Sequence, residues 1–183
     1  MNSEPLVSCV MLTMLGREDF RKRAIESFNS QTWENRELVV VDCEGTIGAK
    51  RNIGVATSRG EIICHWDDDD WSAPGRLEDQ VRRLLDSTAE ITGYHSMIFE
   101  NEEGRRWKYV GHSGYALGTS LCYWKSYWRR RPFLQINEGE DNAFIMGTKV
   151  LSVDAEDMVI AAIHSGNASP KQVEKFQAWK RLD

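Results

Sequence analysis

The first half of the chain alternates short apolar runs with longer stretches of helical period. Residues 7–12 are apolar apart from Ser8 and predict a buried strand. Phe20, Ala24 and Phe28 recur every four residues and predict a helix over 19–31, with Asp19 as its cap. The β-branched run 37–41 predicts a second strand. Ile47, Ile53 and Ala56 share one side of a helix over 47–58 that ends near Gly60. Residues 61–66 predict a third strand. Leu77, Val81, Leu84 and Leu85 predict a third helix over 74–87, with Pro74 near its start. Strand and helix thus alternate three times, the pattern of a mostly parallel sheet covered by helices. Ligands of such sheets bind where strands end at their carboxyl side. Loops 13–17, 42–46 and 67–73 are therefore expected along one edge, lining one cleft.

The second half is less regular. Strands are expected at 90–93, 118–123 and 158–164, with a hairpin of 95–100 and 106–110 around Gly104. Residues 138–149 read as partly helical. Val173, Phe176 and Trp179 predict a short amphipathic helix over 171–181. No repeat or linker divides the chain. The expectation is one domain over 1–183, with halves of about 1–93 and 94–183.

Composition narrows the function classes. Lys and Arg number 23 against 28 Asp and Glu, a formal charge of −5, which gives no general attraction for nucleic acid. Hydrophobic residues at 41% and charged residues at 28% fit a soluble globular protein. The run 158–163 is too short to span a bilayer, and no signal peptide is visible at the start. Cys9, Cys43, Cys64 and Cys122 lack metal-type spacing and lie in or beside apolar stretches. They are expected to be reduced core thiols in a cytoplasmic protein.

The densest chemical signal is Asp67, Asp68, Asp69 and Asp70, directly after the third strand. In an extended chain Asp67 and Asp69 point together, and Asp68 and Asp70 point to the other side. Adjacent carboxylates repel, and a hard divalent cation relieves them. Substrate phosphates commonly complete such a shell. A bare acidic run is otherwise a solvated helix start; its place at the end of a buried strand favours the ligand reading.

The stretch GAKRNIGVATSRGEIICHWDDDDWSAPGRLEDQV resembles the nucleotide-binding half of family 2 glycosyltransferases, which have the GT-A fold. So do VSCVMLTMLGREDFRKRAIESFNSQTW before it, ELVVVDCEG, and later GEDNAFI and IHSGNASPK. The resemblance implies a three-layer α/β/α sandwich with a nucleotide-binding half and a smaller acceptor half. It implies a UDP-sugar donor, Mn²⁺ or Mg²⁺, and an acceptor hydroxyl on a glycan or small molecule; glucose is the candidate sugar. Asp67 and Asp69 match the D-x-D signature, with Asp69 on the metal, Asp67 on the ribose or metal shell, and Asp68 and Asp70 beside them. Asp42 matches the carboxylate that reads the uracil edge. Thr13 falls where the family contacts the nucleotide, and Arg51 matches a basic residue near base and phosphates. Lys50 and Arg17 are further diphosphate candidates.

The resemblance makes Asp141 the catalytic base and Glu140 its neighbour that orients the acceptor. A sugar hydroxyl needs a positioned carboxylate to take its proton as the new bond forms. A single base without an enzyme nucleophile fits one in-line displacement with inversion. His164, after the last expected strand, matches a late metal-binding histidine of some relatives; a histidine there also serves as a hydrogen-bonded structural residue. Tyr123, Trp124, Tyr127 and Trp128, beside Lys125 and residues 129–131, lie where the family borders its acceptor, but aromatics so spaced commonly pack a core. Two other readings share these residues. A nucleotidyltransferase uses a similar sheet, but carries a Gly-rich basic loop where 13–17 has one Gly and one Arg. A sugar-nucleotide or glycan-binding module without turnover is the other.

Overall fold

The computed structural model describes residues 4–167, 171, 173, 175 and 177–182. The first half runs β1 (Val7–Leu12), α1 (Glu18–Asn29), β2 (Arg36–Val41), α2 (Ile47–Thr57), β3 (Ile62–His65), β4 (Trp71–Ser72) and α3 (Arg76–Leu85). Then follow β5 (Ile91–Asn101), β6 (Arg106–Val110), a 3-10 turn (Gly118–Ser120), β7 (Cys122–Trp124), α4 (Lys125–Arg130), α5 (Glu140–Ile145), β8 (Val150–Asp154), β9 (Val159–Ile163) and β10 (Trp179–Arg181).

The strands form one sheet with the path β10-β6-β5-β7-β3-β1-β2. β1 pairs in parallel with β2 and β3, as the alternating pattern predicts. Beyond β3 the expected parallel character gives way. β7 runs antiparallel to both β3 and β5, while β8 and β9 return parallel to β5. The sheet is therefore mixed. The single long strand β5 replaces the two strands expected at 90–93 and 95–100. Its first residues pair with β7 and β8, its last with β6 and β9.

The side chains of β1 show why the sheet carries helices on both faces. Val7, Cys9 and Met11 pack with Ala24 and Phe28 of α1 and Leu77, Val81 and Leu84 of α3. Val10 faces the other way, into a cluster with Val55 of α2, Tyr127 of α4 and Phe144 and Ile145 of α5. These are the expected three layers. A third cluster of Tyr94, Met97, Phe99, Val159 and Ala161 packs where β5 meets β9, with Trp179 against it.

Three expectations are corrected here. Residues 118–120 form a helical turn rather than the start of a strand. The helix expected over 171–181 is replaced at its end by β10, because Trp179 pairs with Tyr109 and its ring stacks edge-on to Phe99 and Tyr109; Phe176 lies outside the described residues. Cys9, Cys64 and Cys122 are buried free thiols, but Cys43 is exposed in the loop after β2. No helix among the described residues is long and apolar enough to cross a membrane.

Candidate active site

The acidic run leaves β3 beyond Trp66, whose Nε1 donates to the Ala24 carbonyl at 3.0 Å and fixes the strand end against α1. A turn at Asp68–Asp69 then breaks the extended chain. Asp67 and Asp69 stay together, as alternation predicts, but the turn also swings Asp70 to their side. Ligand atoms of Asp67, Asp69 and Asp70 all lie within 4.8 Å of one another. Asp68, only 4% exposed, stays outside this triad. It accepts Thr13 Oγ1 at 2.7 Å, and Arg17 grips both its oxygens through Nε at 2.9 Å and Nη2 at 2.7 Å. The pairing of Asp68 with Asp70 expected from an extended chain therefore does not occur.

Arg17 Nη2 also donates to Asp69 Oδ2 at 2.6 Å. Burial works against its charge, but Asp69 and Asp68 outweigh it and hold the guanidinium above its ordinary pKa. Asp70 accepts Thr119 Oγ1 at 2.6 Å and the Ala162 N–H at 3.0 Å. Even so, burial and the charges of Asp69 and Asp67 push Asp70 up to about 8. Asp67 is raised by burial and by Asp69 and Asp68, against the opposing charge of Arg51. These oxygens crowd in a partly dry place with too little positive charge. That is the environment in which a hard divalent cation binds an all-oxygen donor set, so the three residues fit Mn²⁺ or Mg²⁺.

His164 meets the cluster from behind. Its ring stacks on Phe20 at 4.8 Å, and Nε2 lies 2.9 Å from Asp69 Oδ2. The Gly166 N–H donates to Nδ1 at 3.0 Å, so Nδ1 is the accepting nitrogen and Nε2 carries the proton toward Asp69. A histidine that ligates through Nε2 needs its proton on Nδ1, facing an acceptor. In this arrangement Nε2 faces Asp69, one of the three clustered carboxylates.

The second acidic pair opens α5. Glu140 is 5% exposed and accepts Arg51 Nε at 3.2 Å; burial raises its pKa against the pull of Arg51. Asp141 accepts the Asn142 N–H through Oδ1 at 2.7 Å. Its Oδ2 lies against the α-carbon of Gly118, where any Cβ would collide with it. The same turn carries Thr119, so Gly118 seats the Asp141 carboxylate while its neighbour holds Asp70. Arg76, fully buried, ties the turn to β3 by donating from Nη2 to the Thr119 carbonyl at 2.7 Å and the His65 carbonyl at 2.9 Å.

Both acidic groups line one cleft of about 430 Å³, together with Thr13, Arg17, Lys50, Arg51 and Tyr115. Lys50 Nζ donates to the Thr13 carbonyl at 2.7 Å. Asp42 does not line this cleft; it is exposed just beyond β2, beside the Thr13 loop, which the Thr13 N–H pins to the Val41 carbonyl at 2.9 Å. Tyr123 and Tyr127 are buried in the core, as aromatics at that spacing commonly are. Sequence reasoning missed Gly118, Thr119 and Tyr115. Burial and nearby Asp141 raise the Tyr115 phenol to about 12. No local pattern marks these residues, since each matters only through a partner distant in sequence.

Residues 43–151 match the model of the family described as Glycosyl transferase family 2. A curated relative, "Putative glycosyltransferase EpsH" of Bacillus subtilis (strain 168), is 26% identical over 53% of this chain and 36% of its own length. Among solved structures, S. aureus TarS 1–349 in complex with UDP superposes with a TM-score of 0.69 at 16% identity, over 86% of this chain and 60% of TarS 1–349. The mannosyltransferase PcManGT from Pyrobaculum calidifontis, in complex with GDP-Man and Mn²⁺, gives 0.64 at 16% identity, over 93% of this chain and 59% of its own. This chain thus spans about a third of the curated relative and three fifths of these structures. Its sheet and layers have the GT-A form, and the chain belongs to glycosyl transferase family 2.

Proposed function

We propose that this chain is the single-domain catalytic core of a metal-dependent glycosyltransferase, which moves a sugar from a UDP-sugar to a hydroxyl of a glycan or small-molecule acceptor, with inversion. One observation carries the reading: three converging carboxylates, Asp67, Asp69 and Asp70, share a cleft with the acidic pair Glu140 and Asp141. The UDP in the TarS complex and the GDP-Man with Mn²⁺ in the PcManGT complex support a nucleotide-sugar donor and a divalent ion.

In this reading Asp67, Asp69 and Asp70 hold the ion, and His164, Arg17 and Thr119 orient them. The bound ion supplies positive charge beside the donor diphosphate. Thr13 meets the nucleoside in the cleft, and Asp42 is left to reach its base only from the exposed rim beside the Thr13 loop. Asp141 takes the proton of the acceptor hydroxyl as its oxygen bonds to the anomeric carbon; the bond from that carbon to the diphosphate breaks, and UDP leaves with the electron pair. The buried free thiols fit a reducing, cytoplasmic setting.

The test is product analysis with UDP-glucose, UDP-GlcNAc and GDP-Man in Mn²⁺, with and without a chelator. Release of UDP and a glycosylated or hydrolysed sugar, abolished by the chelator, is the expected result. Pyrophosphate as product identifies a nucleotidyltransferase instead. Tight nucleotide-sugar binding without any product leaves a binding module and ends the transferase reading.

A further inference from the structure

We infer that one face of helix α2, formed by Gly48, Arg51 and Asn52, is the platform that places the base helix α5, and that Arg51 is a positioning residue acting through Glu140 rather than a ligand of the donor phosphates. The inference rests on the reading of Asp141 as the base. Positions 48, 51, 52 and 55 fall on one side of a helix. Val55 enters the core, and the other three meet the segment leading into α5.

At Gly48 the contact is backbone to backbone. A Cβ would run into the Leu134 carbonyl, and the Gly48 N–H donates to the Ile136 carbonyl at 3.1 Å. The neighbouring Ile47 N–H donates to Asn137 Oδ1 at 3.0 Å. Asn52 pairs with the backbone of Phe133 on both sides, Nδ2 to the carbonyl at 2.9 Å and Oδ1 from the N–H at 2.9 Å. Its Oδ1 also accepts Trp128 Nε1 at 2.8 Å. Arg51 closes the far end, with Nε on Glu140 at 3.2 Å and Nη1 2.8 Å from His65 Nδ1. Its guanidinium carbon lies 6.0 Å from the Phe133 ring centroid, and the residue is only 6% exposed. Residues 133–140 are thus fastened to α2 at both ends. Nε is committed to Glu140 and Nη1 to His65, and withdrawing the guanidinium would leave a buried carboxylate without its partner. A helix of the donor half therefore carries the base, and Asp141 inherits its place from Arg51 and Asn52.

The test compares Arg51→Met, Glu140→Gln, the double variant and Asn52→Ala, reading kcat, donor KM and UDP affinity in Mn²⁺. The expected result is a loss in kcat of about ten- to a hundredfold for Arg51→Met and for Asn52→Ala, the scale of a misplaced catalytic group. Donor KM and UDP affinity should stay within about twofold, and the double variant should be no worse than its poorer parent. Asn52→Ala keeps the buried charges paired, so it reads the platform even if Arg51→Met folds poorly. UDP affinity weakened about tenfold by Arg51→Met, or losses that multiply in the double variant, would overturn the inference. If the parent protein binds UDP with Mn²⁺ but transfers nothing, the base reading fails on its own. The denaturation midpoints of the same four proteins then decide the platform: non-additive shifts of Arg51→Met and Glu140→Gln support it, and additive ones end it.

Discussion

The two acidic groups of the cleft are held in opposite ways. Asp68, Asp69 and Asp70 receive hydrogen bonds from the loop after β1, the 3-10 turn, β9 and the residues just after it, through Thr13, Arg17, Thr119, Ala162 and His164. Their positions are set many times over, and their problem is charge. Asp141 sits on a helix of only 6 residues, too short to persist by itself. It is placed by one buried ion pair, the backbone grip of α2 and the seat at Gly118. Its problem is location. Changes at the first site should alter affinity for metal and nucleotide, and changes around the second should alter turnover.

The largest separation is expected from Asp141→Asn. It should cut transfer by roughly 10²–10⁴-fold, the range of general-base catalysis, while UDP binding in Mn²⁺ is retained. Steady-state kinetics beside titration of UDP reads both. On the other side, His164→Ala should weaken Mn²⁺ affinity by about ten- to a hundredfold, as outer-shell changes do, and Asp69→Ala by more. Equal effects of the two, measured by metal titration, would make His164 a direct ligand.

A smaller effect is expected from Gly118→Ala, whose Cβ displaces the Asp141 carboxylate and little else. Its kcat should fall on the order of tenfold with UDP affinity unchanged. A simultaneous loss of UDP affinity would mean that the turn serves both groups through Thr119 and that the division drawn here is too sharp.

The smallest effect concerns pH. Asp70 is raised from an ordinary 3.8 to about 8, so the folded protein holds this proton more tightly than the unfolded chain. The stability it contributes is complete below about pH 4 and is lost as pH climbs toward 8. With chelator present, the Tm should fall between about pH 5 and 8. Asp70→Asn should flatten that fall, and Mn²⁺ should offset it by binding the ionised cluster.

The first half of the fold was legible where an element buries its own periodic face; α2 is the exception, since it buries Gly48, Arg51, Gly54 and Val55 and leaves the expected Ile53 and Ala56 exposed. Val7, Cys9 and Met11 alternate with Val10, and Phe28 and Ala24 repeat at helical spacing, so local pattern and tertiary packing agree. The second half was less so. β8 pairs with β5 across some sixty positions, and α4 begins at Lys125 in a stretch that reads as an aromatic and basic cluster. β10 forms because Trp179 finds Tyr109 and Phe99, which outweighs its helical spacing with Val173. At the site, alternation correctly joined Asp67 to Asp69, but could not foresee the turn that brings in Asp70 and sends Asp68 to Arg17. The direction of Arg51 was equally hidden, since what it faces lies 89 positions away.

The most direct test is calorimetry of UDP binding to the unaltered protein, to Asp69→Ala and to Asp141→Asn, each in Mn²⁺ and then in chelator, with GDP as control. The account predicts Mn²⁺-dependent binding to the unaltered protein and to Asp141→Asn with equal affinity, and its loss in Asp69→Ala. Binding that ignores the chelator, or that disappears in Asp141→Asn, would contradict it.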